Sequence, residues 1–154
     1  MAKLSDDMKR IMTQQKLGMV ATVNADGTPN LSPKATFVVL SDERIAFADL
    51  RSPNTQRNVE ERGAMELNFV DPVARKGFRA KGHATYAAKG SAEFDALMPH
   101  FADLGELAER LRGMFTLNVE RAAMILSPAY DIGADETELR RAWLQRINDN
   151  NADL

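Results

Sequence analysis

The chain has 154 residues, a formal net charge of −2, and no cysteine. This length fits one domain with an adequate core. The near-neutral charge provides no basic field for nucleic acid, and the lack of cysteine excludes disulfides and thiolate metal sites. Two histidines, His83 and His100, do not by themselves build a usual zinc site. The start "MAKLSDDMKR" lacks the apolar core of a signal peptide and no run is long enough to span a bilayer, so a soluble, cytoplasmic protein is expected.

Residues 5–16 read as a helix, with Ser5 as cap, Asp6 and Asp7 at the positive dipole end, and Met8, Ile11 and Met12 as a stripe; Gly18 can stop it. The period then changes. "LGMVATVNADGTPNLSPKATFVVL" reads as strand, turn and second strand about Asp26-Gly27. A third strand is expected over Arg44–Asp49, a short helix from Ser52 to about Arg62, and a strand at "AMELNFV". The polar loop "DPVARK" leads to a long strand at "GFRAKGHATYAA". Residues 91–112 look helical in two pieces broken at Pro99, "RAAMILSPAYDIG" gives a last strand, and the tail is a helix with Leu139, Trp143 and Ile147 on one face. About six strands joined early by hairpins predict a mainly β fold, an antiparallel barrel with peripheral helices.

Three polar groups punctuate these elements. The first is "SPK", Ser32–Lys34: Pro33 has no amide proton and belongs at an edge or bulge, and in a regular strand Ser32 and Lys34 share a face. It reads either as an edge strand guarded by a lysine or as part of a site. The second is "RSPNTQRN", where Ser52 is a good N-cap and Pro53 suits the first helical position. This is a well-capped surface helix, or an anion cradle of first-turn amides with Ser52, Asn54 and Thr55, charged by Arg51 and Arg57. The third is "RKGFRAKGH", four cations in nine positions, either a solvated face or a phosphate or nucleic-acid surface. His83 reads as a structural histidine, and no catalytic pair or glycine-rich nucleotide loop is visible. Any chemistry therefore calls for a bound cofactor.

The ordered set "MVATVNADGTPNLSP", "RIAFADL" and "SPNTQRNV", followed by "KGFRAKGHATY" and "RAAMILSPA", resembles the pyridoxamine phosphate oxidase-like, FMN-binding split-barrel family over roughly residues 8–130. The resemblance implies a six-stranded antiparallel split β-barrel, a homodimer with FMN at the subunit interface, and a small-molecule electron donor and acceptor. Residues 1–133 would form the barrel domain and 134–154 its C-terminal helix and tail. Carried over by position, Ser32, Pro33 and Lys34 would meet the flavin phosphate or ring. Ala48, Asp49 and Leu50 would run along the ring with Arg51 following, Ser52, Asn54 and Thr55 would hold phosphate, and Asn58 would shape the helix start. The vitamin B6 oxidases carry "SRK" at this helix where this chain has "PNT", so the chain is closer to the small FMN-binding and flavoredoxin-like members. The expected function is electron transfer by an FMN flavoprotein. The alternatives are a non-catalytic flavin- or haem-binding module and a deazaflavin-dependent reductase. An oligonucleotide-binding barrel is disfavoured by the charge and by an aromatic content of 6%.

Overall fold

In the computed structural model, which describes residues 3–154, helix α1 (Asp6–Gln15) precedes strands β1 (Gly18–Val23), β2 (Pro29–Lys34), β3 (Phe37–Ser41) and β4 (Arg44–Asp49). Helix α2 (Pro53–Arg62), strands β5 (Ala64–Asp71) and β6 (Lys76–Ala88), helix α3 (Ala92–Leu97), strand β7 (Gly113–Leu126) and helix α4 (Glu136–Asn150) follow. Ser5 caps α1 through a bond from the Met8 amide, and Gly27 takes the hairpin turn at φ +84°, where side chains are strained.

All strand pairs are antiparallel, in the order β2-β1-β5-β6-β7-β4-β3. β2 and β3 are neighbours in sequence yet stand at opposite edges. The link from Lys34 to Phe37 reaches at most about 11 Å, whereas seven strands laid flat span about 29 Å. The sheet must therefore curl until its edges meet, leaving a split barrel. This corrects the expected strand count from six to seven. The stretch read as one second strand bends at Ala35-Thr36 and changes partner, β2 pairing with β1 and β3 with β4. Local sequence carries no sign of that exchange.

The barrel interior is filled by alternate side chains. Phe47 stacks on Phe115 with ring centres 4.7 Å apart, Phe69 on Phe78 at 5.2 Å, and Phe37 meets Phe69 edge-on at 4.6 Å. Met8, Ile11 and Met12 of α1 join this core. A second core lies outside β4 and β7, where Ala46, Ala48 and Met114 meet Phe94, Phe101 and Leu111. The segment that covers it departs from expectation. After α3, residues Met98–Arg110 run as 3-10 turns broken at Phe101 and Gly105 instead of a second α-helix. β7 likewise begins at Gly113, well before the stretch read as the last strand, because its pairing spans both β6 and β4.

Helix α4 buries no residue. Leu139, Trp143 and Ile147 share its half-buried face as expected. It is held by polar contacts: Arg140 to Asp71 at 3.0 Å, Lys76 to Glu136 at 3.3 Å, and the Arg75 guanidinium 3.9 Å over the Trp143 ring. These contacts occupy much of the "RKGFRAKGH" cluster. Gly77 and Gly82 serve close strand packing, since a Cβ there would lie 2.2 Å from the Phe69 carbonyl and 2.0 Å from that of Asn118.

Candidate functional site

The β1–β2 register is unbroken, with Pro33 opposite Met19, so Asn30, Ser32 and Lys34 share the inner face of an edge strand. Lys34 Nζ donates to Ser32 Oγ at 3.1 Å. Pro33 faces outward. Just past the bend, the Ala48 amide donates to Thr36 Oγ1 at 3.0 Å, which brings the end of β4 against the β2–β3 corner. The Ala48 side chain turns into the second core and half-buried Leu50 packs against it. Asp49 points inward beside the split and is 1% exposed.

The start of α2 differs from the expected capped helix. Ser52 occupies the N-cap position and Pro53 the first turn, but the Ser52 side chain makes no cap bond. The Ser52 hydroxyl and the first-turn amides stay available, with Arg51 and Asn54 exposed beside them. Thr55 is buried and receives Asn30 Nδ2 at 3.4 Å, joining the helix start to the inner face of β2. Asn58 is fully engaged within the protein. It donates to Thr22 Oγ1 at 3.0 Å and Asn24 Oδ1 at 2.9 Å, and accepts from Arg62 at 3.1 Å. It fastens α2 to β1. Of the residues carried over by position, Ser32 and Lys34 are joined on the inner face of β2, Thr55 meets that face through Asn30, Asp49 is tied to Tyr86, Arg51 and Asn54 are exposed beside Ser52, and the side chains of Pro33, Ala48 and Leu50 turn elsewhere.

Sequence reading passed over Asn30, Thr36, Tyr86 and Gly113. Tyr86 of β6 donates to Asp49 Oδ2 at 2.9 Å, crossing β7 at Gly113, where a Cβ would sit 2.3 Å from the phenol. Burial raises the Tyr86 phenol well above its ordinary range, reinforced by the bond to Asp49 and by that carboxylate's charge. Burial also lowers the Lys34 ammonium, against the opposing pull of Asp49. The other oxygen, Asp49 Oδ1, is buried without a partner, the one such side-chain atom among the described residues. Asn30 alone had a legible signal, standing two before Ser32 on the same strand.

Among the described residues no group of three His, Asp or Glu can hold a metal ion. No described helix is long and apolar enough to cross a membrane. The fold is a small split barrel in which the start of α2 lacks a side-chain cap. The chain belongs to the pyridoxamine 5'-phosphate oxidase-like family: the family model described as pyridoxamine 5'-phosphate oxidase matches residues 4–125. No curated protein matches it. Among solved structures, Group A Streptococcus HupZ is similar at 27% identity and TM-score 0.65, over 80% of this chain and 95% of that one. An FMN-binding protein from Syntrophomonas wolfei is similar at 13% identity and TM-score 0.64, over 78% and 84% of the two chains. An F420 reductase is similar at 16% identity and TM-score 0.58, over 78% and 98%.

Proposed function

We infer that the protein is an FMN-binding flavoprotein, an oxidoreductase that passes electrons between a reduced donor and a small acceptor. The observation that carries this reading is the unspent helix start. Ser52 stands where a cap belongs, its hydroxyl makes no cap bond, and buried Thr55 ties that turn to the polar face of β2. Arg51, Ser52, Asn54 and the first-turn amides fit a phosphate monoester, since donors and the positive end of the helix converge there. Lys34 lies on the inner face of β2, and Asp49 and Tyr86 are bonded to each other at the end of β4. A bound flavin would supply the redox chemistry; the chain's own groups would anchor it, shield it from water and set the charge around it.

A second copy of the chain would complete the site. The outer face of β2, β1 and β5 is bare and carries exposed Met19, Leu31 and Val70, continued by Ile125 of β7. On this face lies a hollow of about 320 Å3 lined by residues that include Ala21, Val23, Pro29 and Lys81. An apolar surface of this kind on a small barrel fits a homodimer. The F420 reductase among the similar folds favours a deazaflavin as the second cofactor to try.

The test is the visible spectrum of the purified protein, with identification of what denaturation releases. Flavin bands, released FMN and turnover of NADH or NADPH are expected. A colourless protein that also takes up no added FMN refutes the reading. Bound FMN without turnover would reduce the protein to a flavin-binding module.

A further inference from the structure

We propose that helix α4 is a strap that parts from the barrel as one unit, swinging about Gly133, and that ionic strength controls it. Release lays open the turn between β5 and β6 and the helix stripe of Leu139, Trp143 and Ile147. The device needs no bound flavin.

The turn from Asp71 to Lys76 is the seat of the C-terminal segment. Two contacts hold that segment before Gly133: the Ser127 amide donates to the Arg75 carbonyl at 3.0 Å, and Tyr130 Oη donates to the Ala74 carbonyl at 2.5 Å. They form a fixed foot. Gly133 then turns the chain at φ +87° with open space around it. Beyond this hinge α4 starts on a cap of its own, Asp135 accepting from the Glu138 amide at 3.0 Å. The helix reaches the seat through Arg140 on Asp71 at 3.0 Å, Glu136 on Lys76 at 3.3 Å, and Trp143 under the Arg75 guanidinium.

Each charged partner in this seam keeps a second partner on its own side when the helix leaves. On the barrel side, Asp71 Oδ1 accepts from the Val73 and Ala74 amides at 3.0 and 2.9 Å, and Lys76 is paired with Asp7 of α1 at 3.1 Å. On the helix side, Arg140 is paired with Glu136 at 3.0 Å, and the Arg146 guanidinium lies 5.1 Å from the Trp143 ring centre. Parting therefore strands no charge, which is what makes a buried ion pair costly to break. No residue of α4 is buried, so no core contact resists the movement. The Arg140 and Glu136 side chains are 36% and 39% exposed, so salt screens them while the barrel's apolar packing stays in place.

The test follows two regions of the full chain through a urea titration. Emission of Trp143, the single tryptophan, reads α4. Hydrogen exchange of β6 and β7 amides, measured by mass spectrometry, reads the barrel. Trp143 is expected to reach the emission of a water-exposed indole while those amides are still protected. Sodium chloride at about 1 M, where the screening length falls to about 3 Å, is expected to bring the Trp143 transition to lower urea and leave the barrel protected. Arg140→Met is expected to favour the open form by roughly tenfold or more, for a lost charge-assisted bond, again without loss of barrel protection. Arg141→Met, on the exposed side of the helix, is expected to leave the transition where it was. If Trp143 and the barrel amides respond at the same urea concentration, α4 is a fixed part of the fold and the proposal is overturned. A separate Trp143 transition that ignores salt, or that moves as far with Arg141→Met as with Arg140→Met, overturns the ionic control.

Discussion

Replacing Gly113 by alanine tests whether the Asp49–Tyr86 contact depends on one missing side chain. The new Cβ would lie 2.3 Å from both Cζ and Oη of Tyr86 and 2.7 Å from the Ala87 carbonyl oxygen. No carbon tolerates these separations, so either β7 moves away from β6 or the phenol leaves. β7 pairs with β6 along its whole length and with β4 on its other side, so the ring is the part that yields. Its departure breaks the 2.9 Å bond to Asp49 and leaves the whole carboxylate buried without a partner. A lost hydrogen bond to a charged group costs about 1.5–3 kcal/mol, and overpacking adds about 1–3 kcal/mol. A total of about 3–5 kcal/mol would lower Tm by roughly 10 °C in a domain of this size. Urea or thermal unfolding of Gly113→Ala measures it directly. In a Tyr86→Ala background the penalty should shrink to that of the remaining clash with the Ala87 carbonyl, because the ring is no longer there to collide. If Gly113→Ala unfolds at the parent temperature, or costs the same with and without Tyr86, the reasoning fails.

Ser52→Ala should change stability by less than about 0.5 kcal/mol, because its hydroxyl makes no cap bond, whereas Ser5→Ala should cost about 1 kcal/mol; equal losses in urea unfolding would contradict this. Burial opposes ionisation of Asp71, but bonds from the Ala74 and Val73 amides and the charge of Arg140 hold its carboxyl below the usual range. A depressed carboxyl stabilises the fold above about pH 4 and loses that contribution as pH falls through its native value. The emission of Trp143, the single tryptophan, should therefore report loosening of α4 below about pH 4, and Asp71→Asn should remove that step. Burial raises both tyrosines, Tyr86 and Tyr130, so their contribution is intact below about pH 10 and declines as pH rises further. Tyrosinate absorbance should appear in the folded protein only above that range, and earlier once it is unfolded.

Much of the architecture was legible locally. Ser5, Asp26-Gly27 and Pro53 mark a helix start, a hairpin and a second helix start through chemistry confined to a few neighbouring residues, and each element stands where those signals put it. The alternation in "AMELNFV" and "GFRAKGHATYAA" likewise placed β5 and β6. The failures share a cause. The bend at Ala35-Thr36, the early start of β7 and the 3-10 path of residues 98–110 depend on partners far along the chain, which a short window does not contain.

The same division runs through the site. The sequence by itself determined which polar groups are present, and that Ser32 and Lys34 share a face if the strand is regular, because period-two geometry is local; the unbroken β1–β2 register decided that it is. Only closure of the barrel decided that Asn30 meets Thr55 and that Asn58 is spent holding α2 to β1. Only the register of three adjacent strands decided that Tyr86 reaches Asp49 across Gly113. That bond joins residues 37 positions apart. No local propensity encodes such a distance, because it follows from how the whole sheet curls to bury its phenylalanines.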